Sequence, residues 1–169
     1  MNRALARLDS THRKFLQTVE PIDEATFANR PSESEWCVAE IVNHLRLVEE
    51  RVIKDLSKAL ERPPAQLGLL RRLVPTSIVA SRLIRVKAPN AVVPTTTPDK
   101  ATNIEQFNAA REQLKLLCAT HGKDRLNKTV FRHPFLGPLS GVAAISFVAY
   151  HEQRHLKQIR EVLGKLNVV

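Results

Sequence analysis

The sequence has few of the residues that mark disulfide-stabilised, exported or membrane-spanning proteins. Its two cysteines, Cys37 and Cys118, lie far apart, and without an export signal a structural disulfide between them is not expected. No apolar run reaches the roughly 18 residues needed to cross a bilayer, and the charged N-terminus lacks the apolar centre of a signal peptide. We therefore expect a cytoplasmic protein with reduced cysteines and no membrane span.

Aromatic residues are also scarce, at 5% of the chain, and no helix-turn-helix, zinc-knuckle or aromatic RNA-binding pattern is present. The chain is nevertheless basic, with 26 Lys and Arg against 17 Asp and Glu and a net charge of +9. This balance suits either a polyanionic partner or a small anionic ligand. Because the basic residues are spread along the whole length, we interpret them as a solvated surface and expect no specific nucleic-acid partner.

What the sequence does contain is helical periodicity. Its 169 residues, 43% of them apolar, are enough for one domain, 1–169, with a single core. Apolar residues three and four apart predict four helices: one from about Leu5 to Pro21, one over Trp36–Leu60, one opened by Thr102 and ended by Gly122, and one from near Ser140 to about Leu166. The start of the second helix is ambiguous, because the capping-box spacing occurs both at Ser32–Glu35 and at Cys37–Glu40.

No alternating strand pattern competes with these helices, so the predicted fold is all-α, a four-helix bundle. Residues 62–101 form a long connection between the second and third helices, so these two neighbours need not be antiparallel. This crossover mixes apolar residues with basic ones and can form one or two short helices. We interpret it as a cover or an interface on the bundle, rather than as a membrane-surface segment. Its basic residues are Arg71, Arg72, Arg82, Arg85 and Lys87.

Three histidines fall on the apolar stripes of two predicted helices. In the last helix, His151 and His155 continue a stripe of core positions, and in the second helix His44 does the same. A single inward histidine is usually a neutral core residue with one hydrogen bond. Three of them are costly to bury unless each finds a partner, and one divalent metal ion would satisfy all three. The pattern therefore favours a metal site.

The sequence motif His151-Glu152-x-x-His155 also occurs in zinc proteases, where the glutamate acts as general base. Here only fourteen residues follow His155, and no third ligand follows in the protease pattern. The third ligand would instead be His44, more than a hundred residues earlier. Glu152 lies about 100° around the helix from His151, which leaves it either a possible general base or a solvent-facing residue.

Three stretches together resemble the DinB-like superfamily of metal-binding four-helix bundles. They are S-E-W-C-V-A-E-I-V-N-H-L in the second helix, H-P-F-L-G-P-L-S before the last helix, and F-V-A-Y-H-E-Q-R-H-L-K-Q-I within it. The resemblance implies an up-down-down-up bundle, often a homodimer, that binds Zn, Ni or a similar divalent ion through His44, His151 and His155. Two departures are Cys37, where the family usually has Ser or Thr, and the crossover, which carries no family motif.

The resemblance further implies a metal-dependent enzyme acting on a small-molecule substrate. Family members include transferases of low-molecular-weight thiols, such as bacillithiol, mycothiol or glutathione, and proteins described as metal-dependent hydrolases. Thiol transfer to a small electrophile is the leading hypothesis, with hydrolysis as the alternative. A non-catalytic metal-binding bundle and a nucleic-acid-associated bundle remain further alternatives.

Outer-shell partners for the imidazoles can also be predicted. Glu40 and Gln158 lie one helical turn from His44 and His155, and metal-bound imidazoles donate their other N–H to an acceptor. Both can equally be ordinary polar residues. His133 is either at the mouth of a pocket or a turn residue before proline. His12 and His121 are given no role.

Overall fold

A computed structural model describes residues 1–65, 67–68, 76–81 and 88–167. The α-helices are α1 (Asn2–Val19), α2 (Glu24–Ala28), α3 (Val38–Leu60), α4 (Lys100–Asn127) and α5 (Gly141–Lys165). Two short strands, β1 (Val130–His133) and β2 (Gly137–Ser140), precede α5, and two 3-10 helices, Thr76–Ala80 and Asn90–Val92, lie in the crossover. The four long helices are those that the periodicity predicts, and the prediction of a four-helix bundle is confirmed.

Capping side chains decide where the helices begin. At α3 the ambiguity is settled at Cys37, where Glu40 accepts a hydrogen bond from the Cys37 backbone N–H at 2.9 Å. At α4 the capping residue is Asp99 rather than Thr102, since Asp99 accepts from the Thr102 backbone N–H. Near the other end of α4, Gly122 interrupts the helix with a φ of 69°, and one further turn follows it.

The directions of the helices follow from which ends meet. Near the starts of α3 and α4, the Asn103 side chain donates to the Ala39 carbonyl, and at their middles Arg111 bonds Glu49. These helices are therefore parallel, as the long crossover between them requires. In α1 and α5, the early residue Arg7 meets Tyr150 and the later residue Phe15 packs in the same cluster as Ile159, so this pair is also parallel. Leu8 near the start of α1 packs in the same cluster as Leu56 near the end of α3, so these two helices are antiparallel. The order is therefore up-down-down-up.

Two apolar clusters stack along the bundle axis. One cluster holds the start of α1 and the end of α3, and includes Leu8, Leu56, Leu114 and Ile145. The other holds the end of α1 and the start of α3, and includes Phe15, Ile41, Phe107 and Ile159. Cys37 and Cys118 are both buried, and they are not joined by a disulfide in this structure. Within the described part of the chain, no helix is both long and apolar enough to cross a membrane.

The prediction that no strand competes with the helices is wrong at one place. β1 and β2 pair antiparallel, with Val130 opposite Ser140 and His133 opposite Gly137. Strands of four residues are too short to show a clear alternation of apolar and polar residues, and Pro138 within β2 weakens the pattern further. The hairpin places His133 beside α5, where its ring packs against Phe147.

The crossover contacts the bundle in both of its described 3-10 helices. Thr76–Ala80 lies against α5, and the carbonyl of Ala80 accepts a hydrogen bond from Lys157. In Asn90–Val92, the carbonyl of Val92 accepts a hydrogen bond from the His44 ring of α3, and farther along the Asn43 side chain donates to the Thr96 carbonyl at 2.6 Å. These contacts agree with a cover on the bundle. The basic residues Arg71, Arg72, Arg82, Arg85 and Lys87 lie outside the described residues.

Candidate metal centre

The structure brings His44 from α3 together with His151 and His155 from α5. One ring nitrogen from each histidine lies within 4.8 Å of the other two, and among the described residues these three form the group that could hold a metal ion. The Nε2 atoms of His151 and His155 are 3.2 Å apart. Three nitrogens bound tetrahedrally to one Zn²⁺ at about 2.0–2.1 Å would lie about 3.3 Å from each other. The observed contact has that spacing.

Hydrogen bonds on the far side of two rings determine which nitrogen can bind a metal. Nδ1 of His44 lies 2.7 Å from the Val92 carbonyl oxygen, which can only accept, so Nδ1 carries the proton. Nδ1 of His155 lies 2.8 Å from Oε1 of Gln158 and donates in the same way. Both Nε2 atoms therefore keep a lone pair. The Nε2 atom of His151 lies against the Nε2 lone pair of His155. The two nitrogens can therefore share either a proton, as a hydrogen bond, or a metal cation that both of them bind.

Burial keeps the three rings neutral. It lowers the pKa of His44, although the bond to the Val92 carbonyl acts in the opposite direction. It lowers the pKa values of His151 and His155 well below 6.5, and the neighbouring imidazoles lower them further. A neutral imidazole is the form that binds metal. The cluster is thus prepared to accept a cation at neutral pH, and its all-imidazole donor set suits Zn, Ni and similar first-row ions.

Gln158 accepts a hydrogen bond from the His155 ring, as predicted for a residue that orients a metal-bound imidazole. The same prediction for Glu40 and His44 is wrong. Glu40 bonds the Cys37 backbone and pairs with Arg30, so it serves the start of α3. Instead, His44 donates to Val92, which lies 48 residues away in the crossover. The crossover therefore contributes directly to the site, a role that its sequence did not indicate.

Glu152 is also placed differently from the prediction. It is 1% exposed, so the solvent-facing alternative is wrong. Its Oε2 accepts from the Thr11 hydroxyl at 2.8 Å and from Arg111 at 3.2 Å, and its Oε1 lies 3.0 Å from Nδ1 of His12. The carboxylate thus points toward α1 and α4 and is not among the residues that line the cavity at the histidines. This arrangement gives it a role in the core and does not support the general-base interpretation.

A buried ion network therefore crosses the middle of the bundle, formed by Glu49, Arg111, Glu152 and His12. Arg111 bonds both oxygens of Glu49, at 2.8 and 3.0 Å, and all three charged side chains are at most 2% exposed. Sequence reasoning missed this network. Its signal was a charged residue on an apolar stripe, since Arg111 follows Phe107 by four positions and precedes Leu114 by three.

The three histidines face a cavity of about 1160 Å³. Its walls are mostly apolar and include Trp36, Val48 and Phe147, with charged residues such as Arg51 and Arg154 also lining it. The Trp36 ring lies 5.0 Å from that of His44, and the Phe147 ring stacks on His151 at 5.4 Å. This volume exceeds that of most small-molecule sites, so the cavity has room for an organic molecule beside the three histidines.

His133 lies in the same cavity, at the end of β1. It is 8% exposed, and its ring packs edge-on against Phe147 at 4.3 Å. His133 was predicted either to lie at the mouth of a pocket or to be a turn residue, and the structure supports both. It both lines the pocket and bonds a turn, because its Nδ1 accepts from the backbone N–H groups of Phe135 and Leu136. Burial lowers its pKa, which the charge of Asp55 partly offsets.

Comparisons with known proteins agree with the fold. A model of the DinB superfamily matches residues 7–159. The uncharacterized protein YuaE of Bacillus subtilis (strain 168) is 25% identical over 138 residues, which make up 81% of this chain and 83% of YuaE. The solved structure of TT2238, a four-helix bundle protein, has a TM-score of 0.64 and 24% identity, covering 95% of this chain and 98% of TT2238.

A second solved structure, of YfiT from Bacillus subtilis, has a TM-score of 0.67 and 14% identity, covering 99% of this chain and 88% of YfiT. It is described as a probable metal-dependent hydrolase with an unusual four-helix bundle topology. At these identities both solved structures bear on the fold alone.

Proposed function

Because the chain belongs to the DinB superfamily, we propose that it is a metal-dependent enzyme that transfers a low-molecular-weight thiol to a small electrophile. His44, His151 and His155 would hold the ion, Zn or Ni. The observation that carries this proposal is the arrangement of three neutral imidazoles, two of them with Nε2 lone pairs directed by hydrogen bonds, at the wall of a large cavity.

Three uncharged ligands leave a divalent ion its full charge, so it would lower the pKa of a bound thiol or water and make a nucleophile available near neutral pH. The chain's own residues supply the surroundings. Val92 and Gln158 orient two of the rings, and Trp36 and Phe147 pack against the rings of His44 and His151 and place apolar surface beside them.

One feature favours thiol transfer over other reactions. Within the described part of the chain no carboxylate belongs to the histidine group, and a thiol needs less help from a base than water does.

Hydrolysis of a small substrate is the second candidate. It is favoured by the structural likeness to YfiT, which is described as a probable metal-dependent hydrolase. The same histidines and the same cavity would serve it, with water in place of the thiol.

One experiment separates the two reactions. Tag-free protein is loaded with Zn²⁺ or Ni²⁺ and tested with glutathione or bacillithiol and 1-chloro-2,4-dinitrobenzene, and in parallel with 4-nitrophenyl acetate. We expect thiol-dependent turnover that disappears in His155→Ala and persists in His121→Ala. Ester cleavage without thiol transfer would favour hydrolysis. Metal-independent rates in both assays, or equal rates in both variants, would contradict the proposal.

A further inference from the structure

His133 has a ring nitrogen whose protonation is determined by its neighbours. Its Nδ1 lies 3.2 Å from the backbone nitrogen of Phe135 and 3.1 Å from that of Leu136. Backbone N–H groups can only donate, so Nδ1 accepts and carries no proton. The neutral ring then has its proton on Nε2. An imidazolium would lose both turn bonds, and burial acts in the same direction by lowering the pKa of His133.

The Nε2–H of His133 is a hydrogen-bond donor at the cavity wall. The residue is 8% exposed and lines the cavity, and the hydrogen bonds recorded among the described residues use its Nδ1 alone. Nε2 of His133 is not among the buried side-chain atoms that lack a partner, so it is accessible rather than sealed in the core. Since the ring is held in this position by the turn and by Phe147, this donor is available to a molecule that occupies the cavity.

The surroundings of this donor indicate the kind of molecule that it would bind. Phe147, Leu136 and Val48 line the same cavity and offer apolar contacts. Asp55 also lines the cavity, and its charge acts on His133, so it disfavours an anion at this donor, whereas an uncharged oxygen needs only the one donor. The walls therefore favour a molecule that is largely apolar and carries a neutral acceptor.

We propose that His133 binds the substrate by donating its Nε2–H to a carbonyl-type oxygen of an otherwise apolar electrophile. This inference rests on the proposed function in one respect, that the cavity at the three histidines is the substrate site. The donor itself does not depend on the metal. His133 would thus act as a specificity-determining residue that orients the acceptor oxygen within the cavity.

Two substitutions separate the donor from the turn. In His133→Asn, the amide oxygen Oδ1 replaces Nδ1 and can still accept from Phe135 and Leu136, but no donor reaches the position of Nε2. In His133→Gln, the amide nitrogen reaches about as far as Nε2, while the acceptor at the δ position is lost. If His133 only supports the turn, His133→Gln should weaken ligand binding more than His133→Asn does. If His133 is a donor to the ligand, His133→Asn should weaken the binding of an acceptor ligand more.

The test uses metal-free protein and two probes of matched shape, 2-octanone and 2-methyl-1-octene, of which only the ketone has an acceptor oxygen. Trp36, the one tryptophan of the chain, lines the cavity, so its fluorescence reports binding. In the wild type we expect the ketone to bind about two- to tenfold more tightly than the alkene, the range for one neutral hydrogen bond. His133→Asn should abolish this preference without changing alkene affinity, and His133→Gln should retain part of it.

A ketone preference that survives in His133→Asn would overturn the inference, as would a wild type that binds neither probe at millimolar concentration. Circular dichroism checks that both variants fold, and His133→Gln should show the lower melting temperature. Because no metal is present, failure here is distinguishable from failure of the proposed function. An enzyme lacking metal-dependent turnover could still show the probe preference, and an active enzyme could lack it.

Discussion

Replacing Arg111 by methionine should destabilise the protein severely. Arg111 donates to both oxygens of Glu49 and to Glu152, and it is 2% exposed. Its removal leaves two carboxylates, each 1% exposed, without the guanidinium that neutralises them. Breaking a buried ion pair from one side costs about 3–5 kcal/mol, a large part of the 5–15 kcal/mol that typically stabilises a domain.

The loss of folding stability in Arg111→Met should depend on pH. Burial raises the pKa of Glu49 above its ordinary value of 4.5, and Arg111 opposes that rise. Without the arginine, the pKa of Glu49 in the folded state must rise further. A carboxyl group with a raised folded-state pKa favours folding below pH 4.5, and this contribution is lost as the pH rises through the folded-state pKa. The difference in stability between variant and wild type should therefore be smaller at pH 5 than at pH 8.

Urea unfolding followed by circular dichroism measures both effects. The matched control is Arg51→Met, which removes the same side chain from an exposed pair with Asp55, one helical turn away. Such pairs contribute about 0.3–0.5 kcal/mol, so the control should unfold almost as the wild type does. If Arg111→Met costs less than about 1 kcal/mol at pH 8, or no more than Arg51→Met, the reasoning about the buried ion network is refuted.

Two further predictions concern α5. Gly141→Ala should lower the free energy of unfolding in urea by about 1–3 kcal/mol, because its new Cβ would lie 2.9 Å from a backbone oxygen of α4. Gly164→Ala has open space and should raise it by about 0.5–1 kcal/mol. Equal changes in the free energy of unfolding for the two variants would contradict the close packing at Gly141. Glu152→Gln should keep the metal content of the wild type and lower turnover by less than about tenfold, since thiol activation needs no carboxylate; a loss of two orders of magnitude at full metal content would restore Glu152 as a general base.

The helices and the inward histidines were predictable because both depend on local periodicity. A residue three or four positions from a core residue lies on the same face, so His44, His151 and His155 had to face the interior of any bundle. The helix ends were less predictable. Asp99 rather than Thr102 begins α4, because both positions carry a side chain able to cap and only the packing of the chain before the helix selects between them.

Contacts between distant segments were not predictable. The partner of His44 is a backbone carbonyl, at Val92, and any residue type could provide it. Glu40 had the right spacing on the helix, but its side chain bonds the helix start instead. The ion network was within reach of the sequence, since Arg111 and Glu49 both fall on apolar stripes, although their pairing requires the parallel arrangement of α3 and α4.

The central claim is that His44, His151 and His155 share one metal ion. The most direct measurement is the metal content, by elemental analysis, of tag-free wild type and of the alanine variant of each histidine. Removing any one ring leaves two ligands, fewer than the three of a catalytic site, while the helical circular dichroism signal should persist because both apolar clusters remain. We predict one ion per chain in the wild type and in His121→Ala, and none in the three variants. A wild type without stoichiometric metal, or a His121→Ala variant that loses it equally, would contradict the claim.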